Sequence, residues 1–174
     1  MTAAHVRSAA ALDALPPDEA ERALLTCCAA PSWARTLAAG RPYGDARRLT
    51  EAADAALAAL PWSEVELALA AHPRIGAQPT GAGREAGWSR REQSGIDVAG
   101  AEIQAALAAG NTAYEQRFGH VYLVRAAGRS AAEMLALLTA RLGNDAASER
   151  AVVRAQLGEI VQLRLARLLS EGPA

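Results

Sequence analysis

Aromatic side chains are scarce in this chain of 174 residues: three Trp, three Tyr and one Phe, 4% of the total. A core without them must be filled by Ala, Leu and Val, a palette that favours closely packed helices. Net charge is nearly absent too. Eighteen basic and nineteen acidic residues leave −1 at pH 7 with both signs interspersed, so neither a nucleic acid nor an acidic membrane surface is expected as a partner. The Ala-rich N-terminal stretch is interrupted by Asp13 and Pro16-Pro17 before it reaches span or signal length. The closing Ser170-Glu171-Gly172-Pro173-Ala174 does not match the short peroxisomal address. The expected location is the cytoplasm. Cysteine is limited to Cys27 and Cys28, adjacent in a stretch that reads as helix, where the side chains diverge and cannot readily bridge one another. They read as small buried residues in a reducing compartment. Also missing are a Cys/His metal spacing, a phosphate-cradling Gly loop after a strand, a serine nucleophile elbow and a basic recognition helix. Gly81-Ala82-Gly83 reads as a turn.

What is present is helical periodicity. The length suits one domain, 1–174, whose residues 1–15 read as a loosely ordered N-terminal extension. The expected fold is an all-α, single-domain helical bundle. Candidate helices run near Asp18 to Ala30, Ser32 to Ala39, Asp45 to Leu60, Ser63 to His72, Ser89 to Phe118, Ser130 to Leu142 and Asp145 to Leu169. Between them stand Pro31, Gly40-Arg41-Pro42, Pro61, Gly143-Asn144 and a long polar connection from Pro73 to Trp88. His120-Val121-Tyr122-Leu123-Val124 is β-branched and aromatic, lies between Gly119 and Gly128, and predicts one short extended segment near residues 120–125.

Plotted at about 100° per residue, three polar residues fall on apolar stripes. Val65, Leu69 and His72 stand at i, i+4 and i+7, and Pro73 ends the helix behind the histidine. Glu92 aligns with Ile96, Ala99 and Ile103, while Arg90, Arg91 and Asp97 point elsewhere. Arg164 sits near the centre of an arc made by Val153, Leu157, Ile160, Val161 and Leu168, where a guanidinium needs an anionic partner. Each has a purely structural alternative. A histidine at a helix C-terminus interacts with the last carbonyls and the dipole. Ser89-Arg90-Arg91-Glu92 fits a capping box at a helix start. Arg164 could snorkel outward or pair with any carboxylate. If the three converge, they make one cavity with an acid–base pair and an anion anchor, in a chain with few other inward polar groups. Periodicity leaves open whether they meet. His5 and His120 read as incidental.

The same residues sit in a series of short motifs. Arg41-Pro42-Tyr43 is followed by Ala71-His72-Pro73-Arg74-Ile75-Gly76, by Trp88-Ser89-Arg90-Arg91-Glu92-Gln93-Ser94-Gly95 and by Asn111-Thr112-Ala113-Tyr114-Glu115-Gln116-Arg117-Phe118-Gly119. Arg141-Leu142-Gly143-Asn144 with Glu149, and Glu159-Ile160-Val161-Gln162-Leu163-Arg164-Leu165, complete the set. In this order and spacing they resemble the 2-oxo-4-hydroxy-4-carboxy-5-ureidoimidazoline (OHCU) decarboxylase family, from about Pro16 to Leu169. Where that family often has a proline and a phenylalanine after Phe-Gly, this chain has Val121 and Tyr122.

The resemblance implies an all-α fold peculiar to the family, a homodimer, no metal or organic cofactor, and conversion of OHCU to (S)-allantoin with loss of carbon dioxide in urate degradation. It implies His72 and Glu92 as catalytic acid–base pair, and Pro73, Ser89, Gln93, Arg164 and the backbone around Val124 as substrate-binding groups. An imidazole titrates at about 6.5 when unperturbed and can act as acid or base, so which of the pair delivers the proton stays open. Functional coupling to the upstream hydroxyisourate hydrolase fits an unstable substrate, although no residue points to it. Three rivals stand beside this reading, one of them a helical DNA-binding regulator, against which stand the missing basic recognition helix and the net charge of −1. A helical binding module that kept the fold and lost the chemistry would have dispensed with His72, Glu92 or Arg164, and all three are present. A related enzyme acting on another ureide would share the motifs.

Overall fold

The computed structural model describes residues 8–77, 84–94 and 100–170. Every regular element among them is an α-helix, as the composition predicts. In chain order these are α1 (Ala9–Asp13), α2 (Pro17–Leu25), α3 (Pro31–Ala39), α4 (Ala46–Ala58), α5 (Trp62–Ala70), α6 (Arg84–Glu92), α7 (Ala101–Phe118), α8 (Ala131–Arg141) and α9 (Ala146–Ser170). Local chemistry sets their ends. The Asp45 carboxylate accepts from the Arg48 N–H (2.9 Å) at the start of α4, and Ser130 and Glu133 form a reciprocal capping box on α8. Pro17 and Pro31 open α2 and α3, where the missing N–H would have had no partner. Gly119, at φ +79°, ends α7 in the left-handed conformation.

Three features differ from the sequence pattern. First, α2 stops at Leu25, so Cys27 and Cys28 lie in the turn beyond it; the Thr26 hydroxyl donates to the Ala23 carbonyl (2.6 Å) and helps close the helix. Second, residues 8–15 of the expected extension contain α1, with Leu12 fully buried, and Arg41 Nη1 donates to the Leu12 and Leu15 carbonyls (both 2.7 Å). Third, the single helix expected from Ser89 to Phe118 is two helices. α6 begins at Arg84, inside the supposed polar connection, and α7 begins after Gly100. Ile96, Asp97 and Ala99, the turn Gly81-Ala82-Gly83 and His5 lie outside the described residues. The run at 121–126 is a connection with neither helix nor strand, between the positive-φ glycines 119 and 128.

The chain divides into two compact units, one made by the chain through Ala68 and again from Gly158, the other by Leu69–Leu157. In the first, α3 packs on both α2 and α4. Trp33 is fully buried there and donates its indole N–H to the Ala53 carbonyl (3.0 Å). The Asp13 carboxylate accepts from the Tyr43 and Gly44 N–H groups (3.0 and 2.8 Å), and Gln162 of α9 donates to Asp54 of α4 (2.5 Å). In the second unit α7 packs on α8. Leu107, Tyr114, Met134 and Leu138 from these helices close over Ile75, Tyr122 and Val124 in one apolar cluster.

Candidate active site

The histidine-proline motif follows α5. Helix geometry ends at Ala70, and the His72 N–H donates to the Leu69 carbonyl (2.9 Å) as the chain turns into Pro73. The imidazole is buried. The loop behind it is held at three points. Arg74 makes a two-pronged pair with Glu115 of α7 (2.7 and 2.6 Å), Asn111 Nδ2 donates to the Ile75 carbonyl (2.8 Å), and the N–H of Gly76 donates to Gln93 Oε1 (3.0 Å). Gly76 has φ +84°, a conformation that favours glycine.

Ser89 and Glu92 stand one turn apart on α6 and are both buried, with Trp88 beside them. Five residues of helix precede Ser89, so it does not start a helix and the capping-box account of Glu92 fails. Glu92 is instead the last residue of α6, where the helix dipole disfavours a carboxylate. Stability alone would not choose that residue there.

Tyr122, Leu123 and Val124 are buried in the connection between α7 and α8, close to a polar network. Arg141 donates through Nε and Nη2 to Glu149 Oε1 (2.8 and 2.6 Å) and through Nη1 to the Leu123 carbonyl (2.6 Å). The Tyr114 hydroxyl donates to the same carboxylate oxygen, and Asn144 Nδ2 donates to the other (2.7 Å). Burial and the bond to Glu149 push the Tyr114 hydroxyl far up, and burial pushes Tyr122 up to about 12 against the pull of Arg141. Burial works against the Arg141 charge, yet the Glu149 bond holds it above its usual range. At neutral pH Arg141 is charged and the phenols beside it are neutral.

Of the predicted site residues, His72, Pro73, Ser89, Glu92, Gln93 and Val124 belong to the second unit. The loop carrying His72 and Pro73 is tied to the end of α6 by the Gly76–Gln93 bond and shares the apolar cluster with Val124 through Ile75. Arg164 belongs to the first unit. It is buried rather than snorkelling, near the Cys28 thiol, which burial pushes up to about 12 with Arg164 opposing and Glu64 reinforcing. The expectation of few other inward polar groups is corrected, since Asn111, Arg141 and Glu149 are buried as well. Asn111 Oδ1 has no hydrogen-bond partner among the described residues. Helical spacing contained their signal: Asn111 and Tyr114 follow Leu107 at i+4 and i+7, and Glu149 precedes Val153 by four. A surface depression of about 750 Å³ in the first unit is lined by Asp13, Glu21, Arg35 and Arg41. Asp13 and Arg41 there are already engaged by backbone groups, which marks it as structural.

Comparison with known proteins agrees with the motifs. The family model for OHCU decarboxylase matches residues 13–166. The chain is 29% identical over 137 residues to the 2-oxo-4-hydroxy-4-carboxy-5-ureidoimidazoline decarboxylase of Amia calva, covering 78% of each. It is 28% identical over 149 residues to the uric acid degradation bifunctional protein TTL of Arabidopsis thaliana, covering 83% of this chain but spanning only 46% of that protein's length. A crystal structure of OHCU decarboxylase in the presence of (S)-allantoin superposes with a TM-score of 0.74 at 26% identity, over 84% of this chain and 96% of that one. Since the family model takes in all but the two ends of the sequence, the chain belongs to the OHCU decarboxylase family.

Proposed function

We propose that this chain converts OHCU to (S)-allantoin in urate degradation, with His72 and Glu92 as the acid–base pair. The carrying observation is a buried carboxylate that no cap explains, on a helix end bonded to the loop that bears the motif histidine. The family match extends through both units, which supports treating 1–174 as one domain.

The substrate bears its carboxylate on a carbon that also carries a hydroxyl. Breaking the bond to carbon dioxide leaves an electron pair that spreads as an enolate onto the neighbouring ureido-bearing ring carbon; the hydroxyl gives up its proton as its carbon becomes the ring carbonyl, and a proton must be delivered to one face of the ureido-bearing carbon. All eighteen basic residues are arginine and none is lysine, so no lysine Schiff base in this chain takes up the electron pair. Hydrogen bonds and fixed charge must stabilise it instead. His72 contacts the hydroxyl or the departing carboxylate, and Glu92 orients it or relays the proton. Gln93 has its amide oxygen engaged by Gly76, which leaves its amide N–H groups to orient the substrate together with Ser89, Pro73 and the Val124 backbone. By the family resemblance, Arg164 holds a substrate carbonyl or the anion in a two-pronged contact.

A homodimer, a cytoplasmic location and coupling to the upstream hydrolase belong to the same reading. The coupling is supported by a relative in which the matched region is part of a longer bifunctional uric acid degradation protein. The deciding experiment generates OHCU in situ from urate with the two upstream enzymes and follows chirality by circular dichroism. The wild-type protein should give a rapid (S)-allantoin signal, and His72→Ala or Glu92→Ala should slow it by roughly 10²–10⁴. Full stereospecific activity in both variants would overturn the assignment. A slow racemic background with folded wild-type protein would overturn the function itself.

A further inference from the structure

We infer that Arg141 is a positioning residue for this reaction, acting through the Leu123 carbonyl to aim the Val124 N–H at the substrate. The inference rests on the proposed role of the Val124 backbone. Residues 121–126 have no helix or strand ladder to fix them, so their direction depends on side chains. Arg141 Nη1 supplies the bond to the Leu123 oxygen (2.6 Å). The Leu123–Val124 peptide is trans, and in a planar trans peptide the carbonyl and the following N–H point in opposite directions. Pinning the Leu123 oxygen toward α8 therefore turns the Val124 N–H away from it.

That N–H donates to no group among the described residues, although Val124 is only 3% exposed. Buried backbone donors without a partner are rare, and one held in place beside the His72 loop suits a carbonyl or carboxylate oxygen of a ureide. The guanidinium is itself held. Glu149, fully buried, takes two of its N–H groups on Oε1, where the Tyr114 hydroxyl also donates, and Asn144 engages Oε2. With both oxygens of the carboxylate engaged, the guanidinium is anchored through Nε and Nη2 while Nη1 holds the Leu123 oxygen.

The test compares the wild type with Arg141→Lys, which keeps the charge but cannot serve Glu149 and Leu123 together, and with Arg141→Gln/Glu149→Gln, which leaves no buried charge unbalanced. In the coupled OHCU assay, variants folded by far-UV circular dichroism should lose about 10-fold or more in kcat/KM and yield allantoin with reduced (S) excess. A merely structural role would lower only the melting temperature. Unchanged kcat, KM and enantiomeric excess in a folded variant would therefore overturn the inference. A second measurement needs no variant: hydrogen exchange of the wild-type Val124 amide, followed by NMR, should slow on saturation with (S)-allantoin. No change at that amide with product bound would overturn the inference even if both variants fail to fold. The two proposals fail separately. A wild-type protein without decarboxylase activity sinks the function, whereas an active wild type, a dead His72→Ala and normal Arg141 variants sink only the positioning role.

Discussion

Gly110 lies within α7 and faces α8. Glycine inside a helix is about 1 kcal/mol less favourable than alanine, so Gly110→Ala would ordinarily stabilise the protein by that amount. Here a Cβ would sit 2.5 Å from Leu138 Cδ2 and 3.2 Å from Leu138 Cγ. Because the branch carbon obstructs as well as the tip, turning the isopropyl group does not clear the space, and Leu138 is fully buried with packing on every side. Overpacking of this kind costs about 1–3 kcal/mol, which outweighs the propensity gain and predicts a net loss of roughly 1 kcal/mol. Urea unfolding followed by far-UV circular dichroism measures it. Leu138→Ala alone should cost about 2–5 kcal/mol, and it removes the obstruction to the methyl group introduced by Gly110→Ala, so the double variant should be more stable than the sum of the two by about 2 kcal/mol. Additive effects, or a gain of about 1 kcal/mol from Gly110→Ala alone, would refute the reasoning. The same helix spacing brings the Tyr114 hydroxyl and Arg141 Nη2 to 3.2 Å, so decarboxylation should weaken along with stability.

Other parts of the structure make equally definite statements. Ser130→Ala removes the side-chain oxygen that accepts from the Glu133 N–H and should cost about 1 kcal/mol in the same urea assay. Asp45, Glu133 and Asp145 are held below their usual carboxylate range, chiefly by backbone N–H groups at helix starts. Their contribution is therefore present above the unfolded carboxylate range and lost as pH falls below about 4. A variant with all three changed to their amides should show a flatter melting temperature between neutral and acidic pH, and a parallel curve would refute the assignment. The Cys28 thiol, pushed up to about 12 by burial, should resist a thiol reagent at mildly alkaline pH until urea unfolds the chain, and prompt labelling of the native protein would contradict its burial.

Helix boundaries were legible where one residue decides them. Asp45, Ser130 and Pro31 act through their own side chains on the next turn, so sequence and structure agree there to within a residue. α6 was not legible, because its inward residues include Ser89 and Glu92 along with Trp88, and a helix that buries polar side chains leaves a weak hydrophobic period. The motif resemblance singles out Ser89 and Glu92 all the same, since it reads residue identity in order and needs no period. A site that breaks the local rules of folding hides its own scaffold from those rules.

Glu149 marks the limit of what helical spacing can report. It lies four residues before Val153 on the stripe that drew attention to Arg164, so the period flags both residues equally. The period says that a polar group points inward, and it is silent about what meets it. For Glu149 the answer comes from Tyr114 on α7, Arg141 at the end of α8 and Asn144 in the turn before α9, which together occupy both carboxylate oxygens. A buried carboxylate with its acceptors occupied by its own chain has little capacity left for a substrate, yet it can fix a guanidinium that holds a backbone carbonyl. Its expected influence on catalysis is thus indirect, through the peptide between Leu123 and Val124, and should appear in stereochemistry as well as in stability.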